Sequence, residues 1–176
     1  MTSPLPSTLE VRRLAAVSEA QLEQLADVLV DCVEGGASVS FMRPMTRAKA
    51  LAFWRRVAEG VARGERELLV AEDDDGIVGT VQVVHDLPEN QPHRADVAKM
   101  LVHRRARRRG AGERLMRAAE DAARALGKTL LVLDTADATA ARLYARCGWI
   151  ACGTIPRYAL MPDGAPCATT YFYREL

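Results

Sequence analysis

The sequence predicts an α/β fold of the α+β-like kind, in which a mixed, mainly antiparallel sheet carries helices on both faces. Two strand-forming runs at 67–72 and 77–85, joined by an Asp-Asp-Asp-Gly turn, have the pattern of a β-hairpin. A strand, helix and strand follow one another between 96 and 135, which predicts one parallel pair with a right-handed crossover. Helix-period apolar patterns occur before and after the hairpin, and they supply the two helical layers.

The 176 residues are predicted to form one domain, 1–176, with only about the first seven residues expected to be disordered. A formal charge of +1 gives no general attraction to nucleic acid or to an acidic membrane. The chain shows neither a signal-peptide pattern nor a span-length apolar segment, so we expect a cytoplasmic protein. The four cysteines and three histidines lack metal-ligand spacing, which predicts free thiols and no bound metal.

The first third of the chain predicts a strand, two helices and an exposed connection. Leu9–Leu14 has a strand pattern, and Ser18 with Gln21 forms a capping box that begins a helix ending at Gly35 and Gly36. Thr46 is expected to cap a second helix that ends near Gly60 or Gly64, with Phe53 and Trp54 interpreted as core residues.

The connection at 35–42 carries several large apolar residues, which is unusual for a plain linker. We therefore expect it to line a pocket. The candidate substrate-binding residues are Ser38, Phe41 and Met42, together with His85 at the end of the hairpin.

The stretch 96–126 combines a short apolar strand, a glycine loop and a helix that ends at Gly127. The loop reads Arg-Arg-Arg-Gly-Ala-Gly from Arg107 to Gly112. The first turn of a helix leaves backbone N–H groups without internal acceptors, and the helix dipole makes that end partly positive. This arrangement predicts an anion-binding loop.

Five arginines crowd this loop, at 104, 105, 107, 108 and 109. Positive charge is disfavoured at a helix N-terminus by several tenths of a kcal/mol. Charge-assisted hydrogen bonds contribute about 1.5–3 kcal/mol each, so contacts to a phosphate would outweigh this repulsion. The alternative interpretation is a solvated arginine cluster with no ligand.

The last third predicts a buried strand at Leu130–Thr135, a short helix from about Ala138 to Arg146, and strands at 149–153 and 168–174 around a turn at 162–164. The segment 156–166 is expected to be a loop.

Three motifs in order resemble those of the GNAT superfamily of N-acetyltransferases. Arg107-x-x-Gly110-x-Gly112 matches the pattern [Q/R]-x-x-G-x-[G/A], and Met100-x-Val102 lies at the usual offset before it. Ala140-x-x-Leu143-Tyr144-x-x-x-Gly148-Trp149 resembles the second motif, although Asp137 stands where Asn is common. The resemblance implies a sheet of about six to seven strands that is splayed between strands four and five.

A finer resemblance is to the acetyltransferases of tabtoxin resistance, which acetylate the amine of a β-lactam amino-acid toxin. It is carried by segments along nearly the whole chain, at 35–42, 94–97, 133–135, 162–164 and 171–172. It implies that the acceptor is a small, amino-acid-like amine.

The resemblance also implies acetyl-CoA as the acetyl donor and assigns the residues that hold it. The expected cofactor-binding residues are Met100, Leu101, Val102, Arg107, Arg108, Arg109, Gly110, Ala111, Gly112 and Glu113. The loop amides would receive the pyrophosphate, and the strand backbone would bond the pantetheine arm. Tyr144 would protonate the departing thiolate.

An alkyl amine must lose a proton before it attacks, and holding it neutral at pH 7 costs about 4.6 kcal/mol. A nearby base is therefore useful. Asp96 lies eleven residues before Arg107, a spacing at which lysine-modifying members of the family carry a catalytic Glu. Asp134 is the second candidate, and Glu72 or His85 could act through water.

Three functions are compatible with these patterns. The first is acetylation of a small-molecule amine, possible for a monomer or a homodimer, and the second is acetylation of a protein N-terminus or lysine. The third is a phosphate- or nucleic-acid-binding module that uses the arginine loop, which the near-neutral charge disfavours.

Overall fold

The computed structural model describes residues 8–176, so the expected disorder of the first seven residues lies outside the described part. One sheet contains seven strands in the order β1-β2-β3-β4-β5-β7-β6. The strands are β1 Glu10–Leu14, β2 Arg66–Asp73, β3 Gly76–Val84, β4 Arg94–Val102, β5 Leu130–Thr135, β6 Ile150–Leu160 and β7 Pro166–Glu175. The helices are α1 Glu19–Glu34, α2 Arg47–Ala62, α3 Ala111–Ala125 and α4 Ala138–Arg146, and a 3-10 turn spans Arg104–Ala106.

The predicted caps of the first two helices are confirmed. Ser18 accepts a hydrogen bond from the Gln21 amide, and the Gln21 side chain accepts one from the Ser18 amide, which completes the capping box. Thr46 accepts from the Lys49 amide at the start of α2. Phe53 and Trp54 contact each other, and Trp54 is fully buried, as a core residue should be.

Two apolar cores lie on opposite faces of the sheet. Helices α3 and α4 cover one face, where Leu115, Met116 and Tyr144 pack against strand residues such as Val97. Helices α1 and α2 cover the other face, where Leu25, Leu29 and Trp54 pack against residues such as Leu101. The predicted arrangement of helices on both faces of the sheet is therefore confirmed.

The sheet is antiparallel except for the β4–β5 pair, which is parallel as predicted. This pair contains only three residue pairs, from Arg94–Leu130 to Asp96–Val132. Beyond Asp96 the two strands separate. The expected splay between strands four and five is thus present.

Strand β6 is longer than predicted, so the predicted end at 153 is wrong. The segment predicted as a loop from 156 is strand as far as Leu160, and it pairs with β7 as far as Pro166. A bulge between Ile155 and Ala159 absorbs Pro156, and β6 is an edge strand, where a residue without an N–H is tolerated.

The predicted anion-binding loop is also shorter than expected. Helix α3 begins at Ala111, so Gly112 lies in its first turn and Gly110 is its N-cap. Among the described residues, no helix is long and apolar enough to cross a membrane.

Candidate active site

The gap between β4 and β5 leaves one edge of β4 open. Antiparallel pairing with β3 continues along β4 to Val102, whereas pairing with β5 ends at Asp96. The backbone at 97–102 therefore has a strand partner on one side only. Such an edge can bind an extended ligand through main-chain hydrogen bonds, in the same way as it would bind an additional strand.

A bulge in β4 turns Lys99 towards the α1–α2 face. Lys99 and Met100 together stand opposite Val81, and Lys99 has a φ of 52°, in the left-handed region. Val97 and Met100 consequently both face the core beside α3, and Leu101 faces the opposite core. The sequence analysis did not single out Lys99, because a bulge depends on the register between two strands and leaves no local pattern.

The N-terminus of α3 is the one described α-helix start without a side-chain cap. Gly110 holds this position with a φ of 82°, and a Cβ there would meet no atom within 4 Å. The amides of Ala111, Gly112 and Glu113 form the first turn and have no acceptor within the helix. They are available to an anion, as the sequence predicts.

Gly112 has a separate, steric role. A Cβ on this residue would lie 2.8 Å from Cδ2 of Leu143 and 3.9 Å from the Met100 side chain. The absence of a side chain therefore allows α3, α4 and β4 to converge at the splayed part of the sheet.

Most of the clustered arginines have partners inside the protein. Arg104 forms an ion pair with Asp31, and Arg105 and Arg109 reach Asp73 at 2.9 and 3.0 Å. Burial alone would raise the pKa of Asp73, but hydrogen bonds from these two arginines lower it below its ordinary value. The predicted repulsion at this loop is thus offset in large part by Asp31 and Asp73.

Arg107 and Arg108 are placed differently. Nε of Arg107 donates to the Val102 carbonyl at 3.4 Å, at the end of the open β4 edge. Arg108 is exposed and has a φ of 62°, next to the helix start. The sequence predicts that arginine side chains of this loop contact a phosphate. Among the described contacts, Arg107 and Arg108 are the two clustered arginines without a carboxylate partner.

Tyr144 lies on α4 beside the splay and is 5% exposed. Its ring packs against Trp149 and Phe172 at centroid distances of 6.3 and 5.7 Å. Burial raises the pKa of Tyr144 above its ordinary value, with smaller contributions from Asp137 and Asp134. The phenol therefore stays protonated at any physiological pH and can donate a proton.

Asp134 and Tyr171 face each other across β5 and β7 and so lie on the same face of the sheet. Asp134 Oδ2 accepts a hydrogen bond of 2.7 Å from the buried Thr169 hydroxyl. Tyr171 hydrogen-bonds Tyr158 at 2.9 Å, and this bond, followed by desolvation and by the charges of Asp134 and Asp96, raises its pKa to about 12. The two predicted aspartates thus converge on one site, to which β7 adds Thr169 and Tyr171.

The other candidate bases have partners elsewhere. Asp96 forms a 2.5 Å ion pair with Arg94. Glu72 is bonded to Arg12 at the β1–β2 edge, and Nε2 of His85 lies 3.9 Å from Glu67. Glu67 alternates with the α2-side residue Leu68, so its side chain is on the opposite face of the sheet from Asp134.

The α1–α2 connection and the β6–β7 hairpin are joined by two hydrogen bonds. Ser38 Oγ donates to the Leu160 carbonyl at 3.2 Å, and the Arg43 amide donates to the Pro162 carbonyl at 3.0 Å. Phe41 packs edge-on against Phe53 at 5.2 Å, whereas Met42 is 40% exposed. Two segments that the sequence places far apart therefore form one boundary.

The residues missed by sequence reasoning are Lys99, Thr169 and Tyr171. Thr169 and Tyr171 alternate along β7, and this alternation together with Asp134 at a strand end was a usable signal. Within residues 8–176, no cluster of side chains suited to a metal ion is found.

Comparison with known proteins places this geometry in a family. The sequence model of the Acetyltransferase (GNAT) family matches residues 23–149. An uncharacterized N-acetyltransferase of the hisH-hisA intergenic region of Azospirillum brasilense is 32% identical over 139 residues, which are 78% of this chain and 80% of that protein. The chain belongs to the GNAT family and is an N-acetyltransferase.

Solved structures support the same fold at low sequence identity. The ribosomal-protein-alanine N-acetyltransferase of Brucella melitensis aligns with a TM-score of 0.79 and 22% identity, covering 95% of this chain and 99% of that one. The protein yncA of Salmonella typhimurium, solved with its cofactor acetyl-CoA, aligns with a TM-score of 0.78 and 18% identity over 96% and 94% of the two chains. Acetyl-CoA is the acetyl donor of the GNAT family.

Proposed function

We propose that this single-domain enzyme transfers an acetyl group from acetyl-CoA to the primary amine of a small molecule, by direct attack in a ternary complex. The proposal includes a cytoplasmic location and either a monomer or a homodimer. An amino-acid-like toxin or antibiotic is the acceptor that the resemblance to tabtoxin-resistance enzymes suggests.

The donor is held mainly by backbone groups. The amides of Ala111 to Glu113 receive the pyrophosphate, and the uncapped start of α3 supports this role. Arg107 and Arg108 supply side-chain charge, because Arg105 and Arg109 are already engaged with Asp73. The open edge of β4 at Met100 to Val102 bonds the pantetheine arm.

Asp134 is the proposed base. It lies at the end of β5 beside the splay, and the Thr169 hydroxyl orients its carboxylate. Asp96 is the weaker choice because its Oδ1 is held by Arg94. With its proton removed, the amine nitrogen attacks the thioester carbonyl, and the carbon–sulfur bond breaks as the new carbon–nitrogen bond forms.

Tyr144 then donates its proton to the departing thiolate. A thiol has a pKa of about 8.5, so the thiolate is a tolerable leaving group and assistance by the phenol is helpful without being essential. Burial raises the pKa of Tyr144, so the phenol carries the proton that this step requires, while the same shift makes the phenol a weaker acid.

The hydrogen bonds between the α1–α2 connection and the β6–β7 hairpin support the choice of a small acceptor. The bonds from Ser38 to Leu160 and from Arg43 to Pro162 tie the α1–α2 connection to the β6–β7 hairpin, and this link between the two segments supports a bounded site for a small acceptor. A protein N-terminus or lysine would require an open groove along this side. A nucleic-acid-binding module would need unpaired arginines, whereas Arg104 and Arg105 are matched by carboxylates.

The first test is the heat of acetyl-CoA binding to the parent and to Gly110→Asp and Arg107→Ala. We expect micromolar binding by the parent, loss of binding in Gly110→Asp because a carboxylate then repels the pyrophosphate, and weakening in Arg107→Ala. Gly127→Asp is the matched control, since Gly127 has a similar φ of 72° at the opposite end of α3 and open space around it.

Amine acceptors are then screened by release of coenzyme A thiol, beginning with β-lactam amino acids and common amino acids. Absence of acetyl-CoA binding by the parent would refute the acetyltransferase assignment of this site. Turnover of peptides but of no small amine would refute the small-molecule acceptor alone.

A further inference from the structure

Lys99 is held in an unusual position on the acceptor side of the splay. The β4 bulge places it at a positive φ, which only a few per cent of non-glycine residues adopt. Its Nζ donates to Ser40 Oγ at 3.0 Å and lies 5.9 Å from the centroid of the Phe53 ring. Ser40 also has a positive φ, of 78°, so two strained residues fix this one contact.

The ammonium group has no carboxylate partner within ion-pair distance in the described part of the chain. Its remaining described interaction is a longer-range attraction to Asp134, and burial lowers its pKa. Burial removes part of the hydration of this ammonium group, and a hydroxyl and an aromatic ring replace only part of the lost interactions. Lys99 therefore retains donors that an acidic group could accept.

The acceptor side has one positively charged region and one negatively charged region. Lys99 supplies positive charge next to Ser40 and Phe53, whereas Asp134 and Asp96 supply negative charge around Tyr171. A molecule with an amine at one end and an acid at the other would match both groups. Neither a simple alkyl amine nor an internal lysine of a protein offers the second contact.

We propose that Lys99 binds an acidic group of the acceptor, so that the enzyme selects amines that also carry a carboxylate. The substrate class is then amino acids and their analogues, with the carboxylate on Lys99 and Ser40 and the amine directed to Asp134. This inference rests on the proposed function, because it requires a small acceptor in this cleft. It assigns Lys99 as a specificity-determining residue.

The test measures equilibrium binding of product analogues, which needs no turnover. N-acetyl derivatives of the common amino acids and the corresponding carboxamides are titrated into the enzyme loaded with coenzyme A. Each pair differs only in the acidic group. The variants are Lys99→Met, which removes the charge, and Lys99→Arg, which keeps it, with Lys128→Met as a control that removes a partly exposed lysine bonded to the Pro92 carbonyl.

We expect the parent and Lys128→Met to bind at least one N-acetyl amino acid about tenfold or more tightly than its carboxamide. Lys99→Met should lose this preference by weakening the acid and leaving the carboxamide unchanged, and Lys99→Arg should retain much of it. Equal preference in the parent and Lys99→Met would overturn the proposal. So would a failure of all acids to bind.

Acetyl-CoA binding by each variant distinguishes a failure of this inference from a failure of the proposed function. Parent and Lys99→Met enzyme should bind acetyl-CoA equally, which also shows that the variant is folded. If the parent binds acetyl-CoA but its acid preference does not depend on Lys99, only this inference fails. If the parent does not bind acetyl-CoA, the proposed function fails first, and the inference with it.

Discussion

The ring and the hydroxyl of Tyr144 have different surroundings. Its ring belongs to the aromatic group with Trp149 and Phe172 in the core beside α3, and the charges of Asp137 and Asp134 act on its hydroxyl. Burial makes ionisation of the phenol unfavourable. The same packing that stabilises the fold therefore also keeps the phenol protonated.

Removal of this hydroxyl tests the acid role. We expect Tyr144→Phe to lower kcat by about ten- to a hundredfold, at the modest end of general acid catalysis because the thiolate leaves readily. The affinity for acetyl-CoA and the melting temperature should change little, since the ring remains. Steady-state kinetics and a thermal melt measure both, and an unchanged kcat would contradict the assignment.

The two aspartates near Tyr171 differ in their partners, and this difference predicts different mutant behaviour. Asp134→Asn should lower kcat/KM for an alkyl amine at pH 7 by about a hundredfold or more, because such an amine then has to lose its proton without help. The lost activity should return as the pH rises towards the pKa of the amine. Asp96→Asn should have a smaller effect because Asp96 is already paired with Arg94.

The measurement is a pH–rate profile of parent and both variants with the same acceptor. A larger loss in Asp96→Asn than in Asp134→Asn would reverse the assignment of the base. An α-amine, whose pKa is about 7.7–8.0, serves as the control, since its rate should depend less on either aspartate.

At the scale of elements, the arginine loop is held by the turn of the β2–β3 hairpin. Asp73 forms ion pairs with Arg105 and Arg109, and its side chain is only 3% exposed. Its carboxylate has a pKa below the ordinary value, so ionised Asp73 favours the folded state. The hairpin thereby positions the loop that begins α3.

Replacement of Asp73 tests whether its ion pairs with the arginine loop stabilise the fold. Asp73→Asn should lower the free energy of unfolding at pH 7 by about 1.5–3 kcal/mol, the range for hydrogen bonds to a charged group. Because the folded-state pKa of Asp73 is depressed, its contribution is complete above the unfolded value of about 3.9 and is lost as the pH falls through the folded value. The difference between parent and variant should therefore shrink below about pH 4.

Urea unfolding at several pH values measures this effect, with Asp75→Asn as the control. Asp75 is in the same turn, carries the same charge and is 88% exposed, so its loss should change stability little. Equal losses for the two variants would show that Asp73 has no special bracing role.

Helix caps and strand patterns were predictable because they depend on neighbouring residues. Ser18 with Gln21 and Thr46 mark helix starts through bonds spanning three residues. The pairing of Arg105 with Asp73 joins positions 32 residues apart. Such a contact depends on the whole sheet, and the sequence therefore indicated an arginine cluster without its internal partners.

At the scale of the whole molecule, the sheet separates two tasks. The side covered by α3 and α4 carries Tyr144 and the uncapped helix start, to which we assign the donor. The other side carries Lys99, Asp134 and the joined α1–α2 connection and β6–β7 hairpin, to which we assign the acceptor. In this proposal the reacting groups meet at the opening between β4 and β5.

The family resemblance assigns residues to the donor in more detail than to the acceptor. The glycine motif and Tyr144 occur at fixed spacings within single segments, and they can be read directly. The acceptor side is assembled from four strands and a connection that lie far apart in the chain, with a bulge at Lys99 and another beyond Ile155. Strand register decides these features, and register is not visible in composition or spacing.

The bulge at Lys99 has a consequence for how enzymes of this design diversify. It turns the Lys99 side chain to the face where we propose that the acceptor binds, while the main chain of the same strand keeps its open edge. Under this proposal, substitutions at Lys99 change which molecules are accepted without altering the backbone groups assigned to coenzyme A. Descendants of one gene could therefore acquire new resistance or metabolic roles by single-codon changes, each inheriting an intact acetylation apparatus.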